Sequence, residues 1–151
     1  TLFATPVYTE RYIKVGIEKQ IPVLFPGGHL QYISQELPFS VDLLKKTAQQ
    51  IWDGGLPVVD DILAATYDWK PEDKVAKYSQ VFREMKPGIL EIINHATVPT
   101  EEFPVITSSS PTRKGDLDAM LSPALKQVAE EENIIFTTWR ELKERRDKID
   151  N

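Results

Sequence analysis

The chain contains no cysteine and only two histidines, His29 and His95. Without cysteine there are no disulfides and no thiolate metal sites, and the compartment stays open, because a cysteine-free protein survives in any redox environment. With so few histidines, a metal site must lean on carboxylates or on residues outside this chain. No apolar run approaches membrane-spanning length and no secretory signal pattern opens the chain, so no membrane-spanning segment is expected. Basic residues are not in excess. The net charge is −5 with both signs interspersed, which argues against a nucleic-acid partner. What is present is 151 residues of which 41% are hydrophobic, enough for one domain, residues 1–151, with a real core.

The chain is organised around Lys86 to Val98, KPGILEIINHATV. Pro87 and Gly88 end what precedes them. Ile89, Leu90, Ile92 and Ile93 then form a short apolar run, the pattern of a strand buried on both faces. It stops at Asn94-His95, before a polar loop expected to run from Ala96 to Lys114. A histidine ending a buried strand and opening a long loop stands where α/β folds keep their chemistry. The bland alternative is a structural or solvated loop histidine. His29 repeats the arrangement, because it follows the apolar run Ile21-Pro22-Val23-Leu24-Phe25 and the turn Pro26-Gly27-Gly28. Both histidines are therefore expected at carboxyl ends of parallel strands, on one face.

Around these runs the pattern is helical. Thr5-Pro6 starts a helix carrying Tyr8, Tyr12, Ile13 and Ile17 through Gln20. Ser40 caps another that ends at Gly54-Gly55. Leu56 to Trp69 reads as strand, short helix or packed loop, and its Asp60-Asp61 pair as solvated or capping rather than catalytic. Pro71 opens an amphipathic helix with Val75, Tyr78, Phe82 and Met85 on one face. Leu117, Met120 and Leu121 continue into Ala124, Leu125, Val128 and Ala129, with a new cap and first-turn proline at Ser122-Pro123. Ile134 to Thr137 reads as a last strand, and Thr138 to Glu141 as a capping box. Strands alternating with helices predict parallel pairing and an α/β fold. Three strands are too few for a closed barrel of eight, so the expected architecture is part of a TIM-like barrel. The chain begins at Thr1, and Leu2-Phe3-Ala4 reads like a strand end entering a loop, so a fragment of a longer protein is expected.

Several segments together resemble the YdjC-like carbohydrate deacetylases, the family that includes chitooligosaccharide deacetylases. PGILEIINHA, residues 87–96, is similar to that family's strand and histidine, "pG-(v/i)-x-E-(i/l)-x-x-HPG". Arg113 to Pro123 resembles its "R-x-x-(E/D)-L-x-x-L-x-s-p" segment, and Asn133 to Leu142 its closing strand and helix. Gly16-Ile17, Ile21-Pro22-Val23 and His29 resemble its "Gi-x-p-(t/v)-h-x-d-x-H-x-H" region. The match covers roughly residues 8 to 145, as the C-terminal portion of the family. It implies a TIM-like barrel binding one divalent metal, zinc or magnesium, through an aspartate and two histidines. The activity implied is removal of N-acetyl groups from amino sugars or oligosaccharides, with metal-bound water attacking the N-acetyl carbonyl.

Carried over by position, His29 matches a metal-ligand histidine. His95 matches the histidine that would protonate the leaving amine or stabilise the oxyanion, and Arg113 matches the arginine after its loop. The departures are a missing second histidine beside His29, and Ala96-Thr97 where the family has Pro-Gly. The strands bearing the paired aspartates and the other histidine are not in this chain, so the remaining ligands are expected outside it. The alternative is a non-catalytic carbohydrate-binding or interaction module on the same scaffold. In either case a partial barrel leaves strand edges and apolar faces open, so association with another copy or with the missing N-terminal half is expected.

Overall fold

The computed structural model describes residues 5–36 and 40–149. It is an α/β protein, mostly helical, with two short parallel strands among the described residues. The chain divides into two compact units, Thr1–Asp61 with Phe136–Asn151, and Ile62–Ile135. No described helix is long and apolar enough to cross a membrane.

In the first unit, α1 (Pro6–Lys19) begins with proline in its first turn and ends at Gln20 in the left-handed conformation. A four-residue helix, α2 (Ile33–Glu36), precedes α3 (Val41–Asp53). At the start of α3 the Ser40 side chain accepts from Leu43 N, the cap its sequence predicts. Ile13, Ile33, Leu44, Ala48, Ile51 and Leu142 are buried apolar side chains of this unit's helices, and Val23 and Phe25 are buried in the sequence-predicted strand region. That region is corrected here. Ile21 to Phe25 forms no strand, and the pairing next to it is a parallel bridge between Pro26 and Val59. Gly27 N bonds Val59 O, and Gly28 N and Leu30 N both bond Asp60 O. A Cβ on Gly28 would fall 2.2 Å from the Asp60 carboxylate and 2.7 Å from its Cα. The close approach that the paired glycines permit is therefore made by the chain itself. The carboxy-terminal α8 (Trp139–Asp147) opens on the predicted capping box, in which Thr138 and Glu141 satisfy each other's backbone N–H. It delivers Arg146, 6% exposed, to Trp52, where the guanidinium lies 4.2 Å from the ring centroid and donates to Trp52 O.

In the second unit the ambiguous stretch after Leu56 resolves into β1 (Asp61–Leu63) and a 3-10 turn at Ala65–Asp68. Pro71 opens a further 3-10 turn, Pro71–Asp73, before α4 (Lys74–Glu84) takes over. β2 (Leu90–Ile92) follows and pairs with β1, with Ile93 N bonding Leu63 O. It is half-buried rather than buried on both faces. The expected loop from Ala96 to Lys114 is shorter than its composition implies. It contains α5 (Phe103–Ile106), and α6 (Ser110–Met120) begins at Ser110. α7 (Pro123–Glu131) starts afresh at the predicted Ser122-Pro123 break. The face presented by α6 also differs. Gly115, Asp116 and Ala119 are buried while Leu121 is 72% exposed. A Cβ on Gly115 would meet the Pro71 backbone at 2.8 Å, so only glycine lets α6 approach that turn.

The last predicted strand is absent as well. Ile134 to Thr137 carries no strand, and Ile135 and Phe136 are 86% and 74% exposed. An apolar run makes a strand only where a neighbour completes its hydrogen bonds. The reading of Leu2-Phe3-Ala4 as a strand end lies outside the described residues.

Candidate functional site

In the second unit, β2 ends by delivering His95 half-exposed at its carboxyl end. The imidazole meets the Tyr67 ring edge-on, with centroids 5.3 Å apart. Arg113, from the first turn of α6, lies 5.9 Å from the centroid of the same ring. Its Nε donates to Ser109 Oγ, and its carbonyl accepts from Thr97 N. Tyr67 thus gathers His95 and Arg113 into one cluster. Neither imidazole nitrogen is hydrogen-bonded by a described residue, so both are open to a ligand.

Beneath this cluster lies a buried polar network. Asp116, Lys74 and Thr66 are fully buried, as is Tyr78. Asp116 Oδ1 accepts from Lys74 Nζ and from the Tyr78 hydroxyl, and Oδ2 accepts from His95 N at 3.1 Å. Lys74 Nζ also donates to Thr66 O, and Thr66 Oγ1 to Ile93 O. The main chain is therefore held on both sides of Asn94. Burial first, and then the bond to Asp116, hold the Tyr78 phenol far above its usual pKa.

None of this network was singled out from the sequence, although two signals were there. Lys74 stands four residues before Tyr78 and eight before Phe82, on the buried stripe of α4. Asp116 is the first acidic residue of the segment that begins at Arg113.

Glu91, central in β2, is half-buried, and loss of water raises its pKa. A raised carboxyl pKa means the folded chain holds the proton more tightly than the unfolded one, so stability from this group is present at low pH and declines as pH rises through the ordinary glutamate range. Glu91→Gln is expected to raise the urea midpoint at neutral pH, with the gain vanishing below that range. An equal gain at every pH would contradict it.

His29 belongs to the first unit. Its Nδ1 lies 3.4 Å from Asp61 Oδ2 and receives Gln31 N at 3.4 Å, while its Nε2 is buried with no hydrogen-bond partner. Asp61 is fully buried and accepts Tyr32 N and Ile33 N at 2.7 and 3.1 Å, at the start of α2. The adjacent acids have thus separated, with Asp61 in a buried capping role.

The divalent metal expected from the family resemblance can be tested against these donors. An Nε2 with no protein partner suits a ligand. Asp61, however, is committed to two backbone amides, and no group of three or more metal-ligating side chains occurs among the described residues. A catalytic metal needs about three protein ligands, so these residues do not by themselves fit one. No family model and no curated protein matches the chain.

Proposed function

We propose that this chain carries the proton-transfer part of a hydrolase that removes N-acetyl groups from amino sugars or oligosaccharides, its strands belonging to a TIM-like barrel. The supporting observation is His95, half-exposed at the end of β2, with unbonded ring nitrogens and Arg113 against the same tyrosine. In amide hydrolysis the departing nitrogen must take a proton and the carbonyl oxygen gathers negative charge. An imidazolium suits the first need and a guanidinium the second. His95 is the general acid in this reading. Arg113 steadies the developing oxyanion, and the exposed part of Tyr67 offers a face to the sugar. A divalent metal, zinc or magnesium, supplies carbonyl polarisation when bound. The ligands of that metal come from outside the unit that carries His95.

The test is acetate release from N-acetylglucosamine oligomers by the protein that carries this chain, with zinc or magnesium added. His95→Gln should lower kcat by about 10²–10⁴-fold without moving the thermal midpoint. Undiminished turnover in that variant, or no acetate from any N-acetylated sugar, overturns the reading. Residues 1–151 alone should release none. Turnover by them would place the ligands within the chain, with Asp60 and Asp61 the first suspects. That no three-ligand cluster occurs among the described residues also favours one other reading, a carbohydrate-binding or interaction module. Saturable oligosaccharide binding without acetate release would establish it.

A further inference from the structure

We propose that Asp116 is a positioning residue for His95, a role that rests on the reading of His95 as the acid. Its buried carboxylate, fixed by Lys74 and Tyr78, anchors the main chain at the end of β2 and so sets where the imidazole stands. The observations carrying this are the two anchor points. Asp116 Oδ2 takes His95 N, and Thr66 Oγ1 donates to Ile93 O, on either side of Asn94. Both belong to one network, because Lys74 Nζ bridges Thr66 O to Asp116 Oδ1. Tyr78 fills a further site on that oxygen. The carboxylate therefore cannot rotate away from the His95 amide without giving up its partners in α4.

A stability role alone does not account for this arrangement. A buried ion pair is commonly matched or bettered by an apolar pair of similar volume. An apolar pair would fill the space between α4 and α6 but would offer nothing to the His95 amide. What the charged pair adds is a fixed acceptor at one backbone position. The residue at that position is the one whose side chain must meet a ligand within a fraction of an ångström.

The experiment compares two double variants of the protein carrying this chain. Lys74→Met with Asp116→Leu removes the acceptor together with both charges. Lys74→Met with Asp116→Asn removes the charges but leaves an oxygen for the His95 amide. The first should lose at least about tenfold in kcat with KM changed less than about twofold. The second should recover most of that loss, a rescue that packing alone would not give. In parallel, amide hydrogen exchange on the unsubstituted protein should show His95 N–H protected with the α4 and α6 core, while the exposed Val98 exchanges freely. In the Met/Leu variant the His95 protection should be lost while that of α4 remains.

Equal kcat in the two double variants overturns the proposal. So does a His95 amide that exchanges as fast as Val98 in the unsubstituted protein, a measurement that decides even if the Met/Leu variant fails to fold. If no protein releases acetate but the His95 amide behaves as expected, the deacetylase reading fails and the anchoring of His95 by Asp116 stands.

Discussion

Lys74→Met should be among the most destabilising single substitutions in the second unit, costing about 3–5 kcal/mol. Lys74 and Asp116 are both fully buried and paired. Removing the lysine leaves a carboxylate in the interior with only the Tyr78 hydroxyl and one backbone amide as donors. The loss corresponds to a fall in Tm on the order of 10 °C for a chain of this size. Adding Asp116→Asn removes the stranded charge, so the double variant should be more stable than Lys74→Met alone. Urea unfolding of the two singles and the double gives the coupling directly. Additive losses would mean that the two side chains do not act as a pair.

Asp61→Ala should have the next largest effect, about 2–5 kcal/mol, in the first unit. The carboxylate satisfies two backbone N–H groups, of Tyr32 and Ile33, and each buried donor left bare costs about 1–3 kcal/mol. The stretch it holds is also conformationally demanding. Leu30, 3% exposed, has φ +54°, a left-handed conformation that costs a branched side chain about 1–2 kcal/mol. Freed from Asp61, the turn should relax, so hydrogen exchange at Tyr32 and Ile33 should rise by more than exchange in α1. Asp61→Asn keeps one acceptor and should lose less. A loss below about 1 kcal/mol for Asp61→Ala would show that water takes over both amides.

What could be read in the sequence was what neighbours along the chain decide. The caps at Ser40 and Thr138, the proline starts at Pro6 and Pro123, and the strand Leu90–Ile92 that leads to His95 all depend on residues within a turn or two. The pairing of Ile21 to Phe25 and of Ile134 to Thr137 was misread, because strand formation depends on a partner the local pattern does not contain. The site divides in the same way. His95 stood out by its place at the end of an apolar run, and Arg113 only by the family resemblance. Asp116 did not, since its meaning comes from Lys74 and Tyr78, 42 and 38 residues away in the chain. Asp61 acquires its role only from amides 28 and 29 residues earlier.

The cover that Arg146 gives Trp52 has a consequence for how the protein is made. Their hydrogen bond spans 94 residues, and the whole of the second unit's sequence lies between them. At ribosomal rates of about 5–20 residues per second, Trp52 is made roughly 5–20 s before Arg146. Every residue of Ile62–Ile135 is added during that interval, so Trp52 goes without its guanidinium cover until the whole of that stretch has been synthesised.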